Sequence, residues 1–150
     1  AAYTKSWWKQ ANNEQKFDAI LLDAPCSASG IVRRHPDILW QRREQDIASL
    51  VKQQANLLKQ LWPLLKVGGK LLYCTCSVFK AEGLDQIDHF MKKNSNAVCL
   101  NSPGHIMPRS LNLSNDAKNS TNDAIKTENL KYPPLDQDGF FYALLEKKSD

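Results

Sequence analysis

Two of the four cysteines, Cys26 and Cys76, each follow an apolar run directly, and Asp23 stands three positions before the first. In FDAILLDAPCSASG, residues 17–30, the run stops on Asp23 and gives way to Pro25, Cys26 and a set of small residues. In KLLYCTCS, residues 70–77, a second run stops at Thr75-Cys76-Ser77. A thiolate is a strong nucleophile only where its surroundings lower its pKa. A second acid–base group beside it suits addition followed by elimination, and proton transfer needs such groups within about 3 Å of the atoms they serve. A free cysteine taken alone is more often core filling. Two thiols and a carboxylate at the ends of neighbouring strands point instead to chemistry.

The elements around them must supply that placement. Phe17 to Asp23 reads as a strand buried on both faces, because Ala19, Ile20, Leu21 and Leu22 do not alternate with polar residues. From Ile47 to Leu65, apolar residues recur at helical spacing opposite Lys52, Gln53, Asn56 and Lys59, and Pro63 with Gly68-Gly69 is expected to close this helix near Lys66. Lys70 to Cys76 reads as a strand, Glu82 to Lys93 as a helix with Leu84, Ile87, Phe90 and Met91 on one side, Ala97 to Leu100 as a short strand and Gly139 to Lys147 as the last. Ser110 to Lys131 is dominated by Asn, Ser, Thr and Lys and reads as a flexible surface loop. Strands alternating with helices give an α/β sandwich with a parallel sheet, whose ligands collect beyond the carboxyl ends of the strands. Neighbouring strands lie about 4.8 Å apart, which would bring Cys26 and Cys76 to one cleft with Asp23 beside them. Alternation puts Cys74 on the side of Cys76 but deeper, as a small apolar group, and Cys99 has no comparable context.

With 150 residues, 42% of them hydrophobic, the chain has the size and apolar content of one domain. No apolar run approaches the roughly 20 residues of a spanning helix, and the opening residues lack the pattern of a secretory signal. They also lack an initiator methionine, so the chain is expected to be a piece of something longer. The cysteine spacing contains no C-x-x-C pair, which argues against zinc and against disulfide staples and for free thiols in a reducing, cytoplasmic setting. The net charge is +4, with Arg33, Arg34, Arg42 and Arg43 clustered near His35 and Trp40. Such a cluster is either a solvated face or a surface that grips phosphate and stacks on a base.

The stretches DAPCSASG, RRHPDILW, GGKLLYCTCS and DGFFYALLEK together resemble the RNA cytosine-C5 methyltransferase family, and within it the Sun/Fmu type that acts on bacterial small-subunit ribosomal RNA. The likeness runs from Phe17 to Lys147 apart from the Asn/Ser-rich loop. It implies the Rossmann-like fold of S-adenosylmethionine-dependent methyltransferases, with these strands as the fourth to seventh of seven and the last one antiparallel. By that resemblance Cys76 matches the nucleophile that adds to C6 of cytosine, and Cys26 the thiol that assists loss of the C5 proton and release. Asp23 matches the aspartate near the cofactor's methionine end and the base. Arg33, Arg34 and His35 would line the mouth where RNA arrives, offsetting the few kcal/mol that extruding a base costs, while Asp37 and Trp40 could hold the loop against the helix. In the related DNA enzymes the Pro-Cys thiol is the nucleophile; having both motifs favours Cys76.

A complete enzyme of this type carries a glycine-rich turn after its first strand. None of the six glycines forms one, and the acidic residue for the ribose is missing too. Residues 1–150 are therefore expected to be the carboxyl part of a catalytic domain, monomeric and free of metal, with one flank of the first strand bare and little affinity for S-adenosylmethionine alone. A transfer RNA methyltransferase, a catalytically incomplete RNA-binding fragment and a thiol-redox protein are the competing readings. The last would want a C-x-x-C at a helix start.

Overall fold

The computed structural model describes residues 15–108 and 137–149. Four strands, β1 (Phe17–Asp23), β2 (Leu65–Thr75), β3 (Ala97–Ile106) and β4 (Phe140–Lys147), form one sheet in the order β1-β2-β4-β3. β1 and β2 are parallel, and β4 is antiparallel to both β2 and β3. The expected mixed sheet with an antiparallel last strand is what the chain forms. Ser110 to Lys131 lies outside the described residues.

Between β1 and β2 come a short helix α1 (Ile38–Gln41) and the long α2 (Glu44–Leu61); α3 (Leu84–Lys93) joins β2 to β3. Glu44 and Asp46 occupy the first turn of α2, where carboxylates face the positive end of the helix dipole. Asp46 Oδ2 also accepts the Arg43 backbone N–H at 3.0 Å, satisfying a donor at the helix start. Leu58 from α2, Trp62, and Ile87 and Phe90 from α3 bury one face of the sheet through Leu22, Leu71, Tyr73, Phe141, Ala143 and Leu145. Trp62 meets Phe90 edge-on at 5.2 Å and donates its indole N–H to Asn96 at 3.0 Å, so a buried aromatic keeps its polar handle paired.

The structure corrects three expectations. α2 stops at Leu61, and a 3-10 turn at Trp62–Leu64 leads straight into β2 at Leu65. Pro63 explains the stop, since it has no N–H for the next helical bond and its ring crowds the preceding turn. The glycine pair then serves the strand instead of ending the helix. Phe17 pairs with Leu65 but Ala19 with Lys70, so β2 carries extra residues at this point; Gly68 takes φ +79 there, and a Cβ on Gly69 would lie 2.9 Å from the Lys66 carbonyl. Second, β1 is not buried on both faces: Leu21 is 67% exposed, because α2 and α3 cover only the face that carries Leu22 and β1 is an edge of the described sheet. Third, β3 runs on to Ile106, past a register shift between Leu100 and Gly104. Among the described residues no helix is long and apolar enough to cross a membrane.

Candidate active site

Two backbone bonds decide where Cys26 sits. The Ala24 N–H donates to the Cys74 carbonyl at 2.9 Å, extending the parallel ladder one residue past β1. Six residues on, the Gly30 N–H donates to the Cys76 carbonyl at 2.9 Å. The loop between them is anchored at both ends to β2. Within it Ala28 adopts the left-handed conformation, φ 61, that non-glycine residues enter at a cost of about 1–2 kcal/mol. The outcome is a separation of 3.4 Å between Cys26 Sγ and Cys76 Sγ.

At that distance the sulfurs share a proton, and their acidities move apart. Hydrogen bonding from Cys26 is the main force holding the Cys76 thiol down to about 7, against burial and the charges of Asp23 and Glu82. The same contact, followed by burial, pushes the Cys26 thiol far up. The contact thus favours ionisation of Cys76 over Cys26. Rising pH through 7 exposes the Cys76 thiolate, so alkylation of Cys76 by iodoacetamide should reach half its plateau rate near that pH. In Cys26→Ala the midpoint should return toward the ordinary 9.0 of a thiol, so that alkylation at pH 7 falls roughly 50-fold. An unmoved midpoint would mean that the two sulfurs do not interact.

Asp23, Cys26 and Cys76 line one cleft of about 580 Å³ with Leu22, Pro25, Gln53 and Leu57. A separate groove of about 420 Å³ between α2 and α3 holds Lys59, His89 and Lys93 but no thiol. Cys74 is not deeply packed as expected; it is half-buried, and its sulfur lies 3.7 Å from Asp23 Oδ1. Burial, then the Asp23 charge, raises its thiol to about 11, which keeps it protonated beside the reactive pair. Cys99 is exposed, on β3. Among the described residues no group of three His, Cys, Asp or Glu side chains could hold a metal ion.

The arginines are tied down. Arg33 Nη2 lies 3.3 Å from Asp138 Oδ1 and Arg34 Nε 2.6 Å from Asp138 Oδ2, both with half or more of their side chains exposed while the aspartate is buried. The next residue, Gly139, donates its N–H to the Gly30 carbonyl at 2.7 Å, so the pairs also brace the Cys26 loop against the start of β4. His35 is exposed. Trp40 is 88% exposed and holds no loop in place, and Asp37, just ahead of α1, accepts a hydrogen bond from Gln41 at 2.9 Å, so the packing role expected for the two residues is not found.

Several partners were not visible to sequence reasoning. Arg42 Nε donates to the Ser27 carbonyl at 3.1 Å, Gln54 Nε2 to the Pro25 carbonyl at 2.9 Å, and buried Glu82 binds Ser27 and Ser77, the residues after the two thiols. Only the position of Asp138 ahead of the glycine in QDGFF could have hinted at its role; the others carry no local signal.

Known proteins share this architecture. Residues 2–146 match the family described as "16S rRNA methyltransferase RsmB/F". The ribosomal RNA small subunit methyltransferase B of Photorhabdus laumondii is 45% identical over 89% of the chain, which in turn spans 27% of that relative. Among solved structures, PH0851 aligns with TM-score 0.62 and 32% identity, over 87% of this chain and 26% of its own. A methyltransferase homolog protein from Pyrococcus horikoshii aligns with TM-score 0.59 and 25% identity, over 93% of this chain and 42% of its own. The paired thiols at the ends of β1 and β2, on a sheet of this order, are thus those of a chain that belongs to the 16S rRNA methyltransferase RsmB/F family.

Proposed function

We propose that this chain is the base-side part of an enzyme that methylates C5 of a cytosine in small-subunit ribosomal RNA, acting in the cytoplasm. The 3.4 Å contact between Cys26 and Cys76 carries the reading. C5 of cytosine is a poor nucleophile until something adds to C6, and a thiol held down to about 7 by its neighbour is suited to that addition. The new S–C6 bond pushes an electron pair onto the ring and makes C5 enamine-like. S-adenosylmethionine would supply the electrophilic methyl group. Once Cys76 is bonded to C6 it no longer holds the proton on Cys26, so Cys26 can release that proton to solvent and take the C5 proton as a thiolate. The S–C6 bond then breaks with its electron pair returning to Cys76, and the C5–C6 double bond is restored. Asp23, at the carboxyl end of β1, lines the cleft and would stabilise a ring protonated at N3.

For the cofactor, this chain offers one wall. Asp23 supplies an acceptor and Leu22, Pro25 and Leu57 an apolar surface, which suits the methionine end and does not surround a nucleoside. We therefore propose that residues 1–150 are part of a larger catalytic domain. A calorimetric titration of the isolated chain with S-adenosylmethionine should give no saturable binding at micromolar concentrations, whereas the intact protein should saturate. Micromolar affinity in the isolated chain would refute the division. Arg33, Arg34 and His35 face the approaching RNA in this reading, and exposed Trp40 is free to stack on an unpaired base.

The test is direct. The intact protein, incubated with methyl-labelled S-adenosylmethionine and unmodified small-subunit ribosomal RNA, should yield 5-methylcytidine on nuclease digestion and mass spectrometry. Label appearing only in transfer RNA would favour the transfer RNA reading, and label on another atom would refute the mechanism.

A further inference from the structure

We propose that Glu82 is a positioning residue for the thiol pair: its buried carboxylate ties the residue after Cys26 to the residue after Cys76 and thereby sets the distance between the two sulfurs. Glu82 lies in the turn Lys80–Glu82 ahead of α3 and is fully buried. Its Oε1 accepts the Ser27 backbone N–H at 2.9 Å and Gln54 Nε2 at 3.2 Å. Its Oε2 accepts the hydroxyls of Ser27 at 2.5 Å and Ser77 at 2.6 Å. Those four bonds fill the acceptor sites of a carboxylate. The other end of the residue is fixed as well, because the Glu82 carbonyl accepts the buried Tyr73 hydroxyl at 2.9 Å.

A carboxylate in such a place is costly to desolvate, and an apolar group of similar volume would serve cohesion alone at least as well. What an apolar group could not do is hold two serines 50 positions apart at a fixed spacing; their hydroxyl oxygens are 3.3 Å from each other. Each serine is bonded through one peptide unit to a reactive cysteine, so the clamp transmits its geometry to the sulfurs. The Glu82 charge itself opposes ionisation of Cys76. Its benefit is therefore geometric: it keeps Cys26 close enough to lend its proton. The catalytic consequence, one sulfur at C6 while the other reaches the C5 proton, rests on the function proposed above.

The clamp can be tested without RNA or cofactor, so its failure is distinguishable from failure of that function. In the intact protein carrying Cys74→Ser, Cys99→Ser and serine at any cysteine outside residues 1–150, bridging of Cys26 and Cys76 by dibromobimane is read as its fluorescence. Glu82→Asp retracts the carboxylate by about 1.5 Å and should slow bridging at least about tenfold, with an unchanged far-UV spectrum and a retained cooperative melt. Glu82→Gln keeps the reach and should stay within about threefold of the parent. The alkylation midpoint of Cys76, which faces Cys26, Asp23 and Glu82, should rise in Glu82→Asp as the thiol contact lengthens; a merely structural residue would leave it in place. Ser77→Ala removes one donor and is the second variant, expected to slow bridging about threefold. Parental bridging in folded Glu82→Asp overturns the proposal, and if that variant does not fold, parental bridging in Ser77→Ala does so.

Discussion

Replacing Cys76 by alanine in the intact protein should reduce methyl transfer at least about 10⁴-fold, because removing a nucleophile leaves only binding and orientation to act. Replacing Cys26 should give a different failure. In the proposed mechanism Cys76 can still add to C6, more slowly, but the group that takes the C5 proton is gone, so the enzyme should accumulate as a covalent complex with its RNA. The two outcomes separate on a denaturing gel after incubation with substrate RNA and S-adenosylmethionine. Cys26→Ala should give a slow-migrating band sensitive to ribonuclease, and Cys76→Ala and the double variant should give none. An adduct that survives loss of Cys76 would reverse the roles and make Cys26 the nucleophile. The acidities argue against that reversal. The shared contact lowers the Cys76 thiol and raises the Cys26 thiol, which favours Cys76 as the attacking sulfur.

This asymmetry could not be read from the residues. The ends of two apolar runs placed Cys26 and Cys76 at the carboxyl ends of two strands, because apolar runs and turn residues are local signals. The sulfur contact depends on hydrogen bonds from Ala24 and Gly30 to β2, between residues 50 and 46 positions apart. Glu82 was hidden for the same reason. At the start of a helical pattern a glutamate reads as solvated, and only tertiary packing brings Ser27, 55 residues away, to its carboxylate. Asp138 is similar, its partner Arg33 being 105 residues distant. The error at Gly68-Gly69 has another cause: glycines past a proline satisfy the stop signal of a helix and the bend of a bulged strand equally well, and register decides between them. Leu21 marks a further limit, since a non-alternating apolar strand does not state whether both its faces find partners.

The tightest backbone approach in the site yields the largest stability effect. A Cβ on Gly30 would lie 2.0 Å from the Gly139 carbonyl oxygen, and one on Gly139 would lie 3.0 Å from the Gly30 Cα. Neither neighbour is a flexible side-chain tip that could swing aside. Relief would require parting the Cys26 loop from the start of β4, breaking the 2.7 Å bond from the Gly139 N–H to the Gly30 carbonyl. Gly30→Ala should therefore cost about 3–5 kcal/mol, measured as a fall in the urea midpoint of the intact protein. Gly104→Ala is the control: its φ of +68 strains an alanine but nothing lies within 4 Å, so about 1 kcal/mol is expected. Equal losses in the two variants would show that the loop relieves the Gly30 contact at little cost. Where Gly30→Ala still folds, the loop must have moved, and since Gly30 also donates to the Cys76 carbonyl, the sulfurs should separate. Its alkylation midpoint should then climb from about 7 toward 9.0, as in Cys26→Ala, although both thiols are still present. A backbone contact that contains no thiol would thus control the acidity of Cys76.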